Sequence, residues 1–138
     1  MEQILMCKTC DAELSYPLTT IDTVSEMERL CSFADETPVS PARHFLLMEG
    51  EVLAARMKRI PGWEPRSNAW LNLEDLRETV GFTPHTERLM GCCSISSGYG
   101  PNRVCQCGEH VGTQSSDCYE YRMLEPVPTA TYWKNTKE

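Results

Sequence analysis

A chain of 138 residues with 41% apolar and 24% charged residues has the length and composition of one globular domain, not of a disordered or fibrous chain. Its 13 Lys and Arg stand against 20 Asp and Glu, a formal charge of −7, which disfavours nucleic acid as a partner and suits a basic protein surface. No apolar run approaches the roughly 20 residues of a membrane span, and the start lacks the basic residues and long apolar run of a signal peptide, so a cytoplasmic chain with reduced thiols is expected.

Residues 1–20 read as a metal knuckle followed by an extended segment. There Leu14, Tyr16 and Leu18 alternate with Ser15 and Pro17, the pattern of a short edge strand. Residues 22–33 read as a helix with Val24, Met27, Leu30 and Cys31 on one face and Glu26, Glu28 and Arg29 off it. Asp22 or Ser25 is its expected cap, and Asp35-Glu36-Thr37-Pro38 stops it. From Asp22 to Glu36 there are five acids and one arginine, the strongest acidic bias in the chain. His44 to Met48 suits a buried strand, and Glu49-Gly50 turns the chain. The stretch from Glu51 to Met57 fits a returning strand or a short helix, and irregular structure is expected there. Arg56-Met57-Lys58-Arg59, the only basic knot, reads as solvated charge. Residues 60–65 read as a loop from their prolines and glycine.

The clearest predicted helix is Leu73 to Val80. Asn72 is a good N-cap, Asp75 supplies a weaker form of the capping box, and Gly81 stands where a C-terminal glycine belongs. After Met90 the texture changes: five of the eight glycines lie between Gly91 and Gly112. Such a segment cannot build a large core alone and needs a cross-link to be ordered. Residues 119–133 recover strand character, and 134–138 read as a frayed tail. No internal repeat is present. The expected fold is a small α+β single domain over residues 1–133, with short strands, two modest helices and a zinc-stapled, glycine-rich C-terminal lobe.

Seven of the eight cysteines fall in two places. Cys7 and Cys10 form a C-x-x-C. Cys92, Cys93, Cys105, Cys107 and Cys118 form C-C-x11-C-x-C-x10-C. Thiolates on short spacings in glycine-bearing turns are what a tetrahedral metal needs, so all seven are candidate ligands of Zn²⁺, with His110 as a candidate nitrogen ligand. One zinc uses four of these groups and leaves three cysteines over. Two zincs need eight ligands, which seven cysteines and His110 supply. Spacing alone does not fix the pairing. Cys31, on the apolar face of the first helix, reads as a small buried hydrophobe. Adjacent Cys92 and Cys93 are poorly placed to bond each other, and nothing after Cys10 looks like the helix that a thioredoxin-type motif opens.

The stretch Gly91-Cys92-Cys93, then Gly100-Pro101-Asn102, Cys105-Gln106-Cys107-Gly108 and Ser116-Asp117-Cys118 resembles the GCCG, GPN, CxCG and SDCW pattern of a family of small bacterial cysteine-rich proteins. The resemblance covers residues 91 to about 118 and extends loosely to Asn72–Leu76. Ser94 replaces the family's usual glycine and Tyr119 its usual tryptophan; neither change removes a ligand. Some such proteins are accessory chains beside bacterial toxins, and the resemblance implies an immunity role.

Catalytic signatures are scarce. Cys92 or Cys93 with His85 or His110 has no local motif behind it. An open catalytic zinc with Glu109 as base lacks an H-x-E or H-E-x-x-H pattern. The expected function is therefore a non-enzymatic, zinc-stapled protein-binding factor, with Asp22 to Glu36 facing a basic partner such as a cognate toxin. The alternative is a zinc-ribbon-like nucleic-acid or transcription accessory module, which the net charge disfavours.

Overall fold

The computed structural model describes residues 1–59 and 66–137. The loop expected at 60–65 lies outside the described residues. In chain order the elements are β1 (Glu2–Cys7), β2 (Leu18–Ile21), α1 (Val24–Leu30), β3 (His44–Leu47), α2 (Gly50–Arg59), β4 (Ala69–Leu71), β5 (Gly81–Phe82), β6 (Arg103–Val104), β7 (His110–Ser115), β8 (Met123–Pro126) and β9 (Thr131–Asn135). The nine strands form one mixed sheet in the order β5-β6-β7-β8-β4-β3-β2-β1-β9. Among the strands of the described residues β2 and β3 are the parallel pair, and α1 makes the crossover that such a pair requires. With two α-helices against nine strands among the described residues, the domain is α+β and dominated by its sheet.

Alternation along the central strands assigns the two faces. Leu18, Phe45, Ala69, Leu71 and Leu124 point to one core, and Ile21, Leu46, Trp70 and Met123 to the other. The second core is roofed by Met27 of α1 and Val52 of α2. The first is covered by irregular chain bearing Leu14, Leu76 and Val80, and includes Cys7 and Cys105. Phe45 and Trp133 stack across this face with centroids 4.0 Å apart.

Several sequence expectations are corrected. The N-terminal segment is a strand before it is a knuckle, since β1 pairs with both β2 and β9. The expected edge strand at 14–18 is not one: Glu13 and Ser15 make isolated bridges, and the regular strand begins at Leu18, inside the sheet. The first helix is shorter than 22–33 and is capped by Thr23, whose Oγ1 accepts from the Glu26 amide at 3.3 Å and donates to the Glu26 carboxylate at 2.8 Å. Residues 50–59 are helical, not irregular. The feature that obscured this helix is Arg56, fully buried inside an aromatic box. Its guanidinium carbon lies 4.4 Å from the Phe33 ring, 5.1 Å from Trp70 and 5.0 Å from Tyr121, and Nη2 donates to the Tyr121 hydroxyl at 2.7 Å. Arg56 is therefore not solvated charge.

The helix expected over 73–80 is a single 3₁₀ turn, Leu73–Asp75. Asn72 caps it as expected, its Oδ1 accepting from the Glu74 amide at 2.9 Å. The chain then extends because Leu76 bridges Ser15 and the Arg77 amide donates to the Leu14 carbonyl, so pairing across the fold overrides helical periodicity. Gly81 begins β5 and does not close a helix. Lys134 and Asn135, expected to fray, pair with Ile4 and Gln3.

The glycine-rich segment is one end of the common sheet, not a lobe of its own. Its interior is polar and hydrogen-bonded. Fully buried Asn102 takes the place of a strand neighbour, accepting from the Gln114 amide at 2.6 Å and donating to the Gln114 carbonyl at 3.1 Å. Arg103 donates to the Val80 and Gly81 carbonyls and to Gln114 Oε1, sewing β5 to β6 and β7.

Candidate metal centre

Two hairpin-like turns meet at the first site. One leaves β1: the Cys7 amide donates to the Ala12 carbonyl and the Asp11 amide to the Cys7 carbonyl, each at 2.9 Å, with Asp11 at φ +59°. The other joins β6 to β7: the Cys105 amide donates to the Glu109 carbonyl at 2.9 Å and the Gly108 amide to the Cys105 carbonyl at 2.8 Å. Gly108 sits at φ +93°, which glycine adopts without strain. Each turn contributes one buried and one exposed thiol, Cys7 with Cys10 and Cys105 with Cys107.

The four sulfurs lie within 4.8 Å of one another, with Cys7 to Cys107 at 3.8 Å and Cys10 to Cys105 at 3.5 Å. A disulfide has its sulfurs about 2.05 Å apart, so these are not bonded pairs. A tetrahedron with metal–sulfur bonds of about 2.3 Å has edges of about 3.8 Å, and the Cys7–Cys107 and Cys10–Cys105 distances lie at or a little below that length. Burial, reinforced by the neighbouring thiols, pushes Cys105 up to about 12, whereas the Glu109 amide holds Cys107 below the ordinary thiol range. Such a cluster ionises fully only when a cation offsets its charge.

The second group is Cys92, Cys93 and Cys118, whose sulfurs also lie within 4.8 Å of one another. Asp117 organises it. Its Oδ1 accepts from the amides of Cys93 at 2.8 Å, Cys118 at 2.9 Å and Ser94 at 3.1 Å, and its Oδ2 from Cys92 at 3.0 Å. Those amides hold the Asp117 carboxyl down at about 2, that of Cys93 most of all. Gly91 is required by this wrap: a Cβ there would fall 1.9 Å from the Ser94 carbonyl oxygen and 2.7 Å from Asp117 Oδ2. Hydrogen bonding to Cys93 and burial push Cys118 up to about 12.

All seven candidate cysteines thus gather into one group of four and one of three, and the described cysteines are free thiols. His110 joins neither group. Its Nε2 lies 2.7 Å from Thr83 Oγ1, and its ring stacks on His85 at 5.6 Å. Burial lowers its pKa, with Arg88 and His85 adding to the effect. The eight-ligand, two-zinc count that enlisted His110 is therefore replaced by four plus three. Among the described residues the His110 ring meets Thr83 and His85, and the His85 ring meets His110 and Glu87, so neither histidine is seen paired with a thiol. Cys31 is partly buried against the helix-covered core, and loss of solvent raises its thiol to about 11. Asp117 escaped the sequence reading as a functional residue; its signal was its place in Ser116-Asp117-Cys118, next to a candidate ligand. No helix among the described residues is long and apolar enough to cross a membrane. Comparison with protein-family models, curated proteins and solved structures finds no match.

Proposed function

We propose that this chain is a bacterial, cytoplasmic, non-enzymatic protein-binding factor held together by structural Zn²⁺, and that it acts as an immunity protein against a basic toxin. The observation that carries the reading is the first thiol group. Four cysteine sulfurs from two distant turns lie close enough together to hold one ion, and four thiolates around one ion are the ligand set of a closed, structural site. Four soft thiolates suit zinc among the common divalent ions.

The partner side rests on charge. Asp22, Glu28, Asp35 and Glu36 are exposed around α1, and Glu49 and Glu51 are exposed at the start of the neighbouring α2. An acidic face of this kind steers a basic partner and repels a phosphate backbone. The resemblance of residues 91–118 to toxin-associated accessory proteins points the same way.

The test is capture of the product of the adjacent gene, followed by association kinetics with Asp22, Glu28, Asp35 and Glu36 changed to their amides. The expected result is binding whose on-rate falls with salt and drops about tenfold or more on neutralisation. Unchanged kinetics in the neutralised variant would discard that face, and absence of capture would discard the immunity role.

A further inference from the structure

The three-thiol group is chemically unlike the four-thiol group. Cys92 and Cys93 are exposed and Cys118 is partly so. No fourth Cys, His, Asp or Glu ligand atom joins the three within the same 4.8 Å among the described residues. Asp117, the nearest acid in sequence, spends both carboxylate oxygens on four backbone amides. The sulfurs have not been gathered by apolar burial, because Gly91 to Ser94 are exposed. They converge because the loop is wound on Asp117, with Gly91 as the one residue the winding admits. A set of ligands held in place by hydrogen bonds to their own backbone is preorganised.

We propose that Cys92, Cys93 and Cys118 form a second, open metal site, which binds one thiophilic d¹⁰ ion through three thiolates and takes its fourth ligand from solution. Three sulfurs within 4.8 Å of one another can close on an ion with metal–sulfur bonds of about 2.3 Å, whose sulfur–sulfur edges are about 3.8–4.0 Å. Binding transfers each coordinating thiol's proton to solvent and forms three metal–sulfur bonds, with no change of oxidation state. Three protein ligands and one vacant position define an exchangeable ion, and the occupant of that position is water or a small thiol. The site is independent of the structural zinc, so its failure leaves the preceding reading standing.

The test uses the whole protein saturated with Zn²⁺ or Co²⁺. Native mass spectrometry should count two ions per chain, and the variants Cys92→Ser and Cys118→Ser should each count one while losing less melting temperature than Cys7→Ser, because the loop they close is shorter. Cys7→Ser should instead remove the ion whose loss lowers the melting temperature more. Gly91→Ala, which retains every thiol, should weaken the second ion at least tenfold and leave the first. In the two-ion Co²⁺ protein, added imidazole or a small thiol should change the ligand-field bands, and should not change those of Cys118→Ser. Saturation at one ion in the parent, or retention of two in Cys92→Ser and Cys118→Ser, would overturn the second site. Bands indifferent to added ligand would overturn its open position.

Discussion

At the scale of single residues, Asp75 shows how far a side chain's role can lie from its local motif. Three residues after Asn72 it reads as part of a capping box, yet its carboxylate turns into the fold, where Oδ2 accepts from the Arg43 amide at 2.7 Å and Oδ1 lies 3.4 Å from the Arg43 guanidinium. Burial raises its pKa, and the Arg43 contacts only partly oppose that. A carboxyl whose folded pKa lies above its unfolded value favours the folded state when protonated. Stability from this group is therefore greatest below the unfolded value near pH 3.8 and declines as pH rises through the folded value. Asp75→Asn keeps an acceptor for the Arg43 amide and removes the buried charge. Denaturant melts from pH 3 to 7 should show the variant at least as stable as the parent at neutral pH and without this decline; a large loss at pH 7 would show that the Arg43 ion pair outweighs burial.

At the scale of elements, the central strands carry the stability. Trp70 is fully buried on β4, packed with Phe33 and Tyr121 above the helix-covered face. Trp70→Ala should cost about 3–5 kcal/mol, seen as a lower denaturant midpoint with an unchanged slope. Which elements were legible follows from what forms them. A helix within 22–33 was readable because its apolar face is local, and Met27 is indeed buried, but its cap is Thr23 and not Asp22 or Ser25. The 73–80 helix was misread because Leu73, Leu76 and Val80 suit a helix stripe equally well as an extended segment laid over a core, and the deciding bonds go to Leu14 and Ser15, about sixty residues away. Helix α2 was one of two readings of 51–57 and not the preferred one, because Arg56 breaks the expected apolar stripe and its burial is explained by the aromatic box. The thiol groups were legible as sets of cysteines, since short spacing is local. Their division into four and three depends on how β1 and the β6–β7 turn meet, which spacing does not encode.

At the scale of the molecule, the four-thiol group joins positions 95 and 100 residues apart in sequence, and an ion bound there would cross-link them. In the chain-entropy account, a cross-link closing a loop of that size stabilises by on the order of 4–5 kcal/mol. Removing the ion with a strong chelator under reducing conditions should therefore lower the melting temperature by on the order of 10 °C. Restoring Zn²⁺ should recover it. Unchanged melting after verified metal removal would show that β1–β9 pairing and the core alone hold the two turns together.

The place of β1 between β2 and β9 also sets an order of events in the cell. A ribosome delivers Cys7 and Cys10 first, then Cys105 and Cys107, and residues 131–135 later still. The first knuckle has no partner turn while most of the chain is still unmade, and the outer edge of β1 stays unpaired until β9 emerges. An ion held by all four thiols can therefore bind only after Cys107 has been made. An open strand edge and two waiting thiols are what a chaperone or a competing metal would meet on the nascent chain.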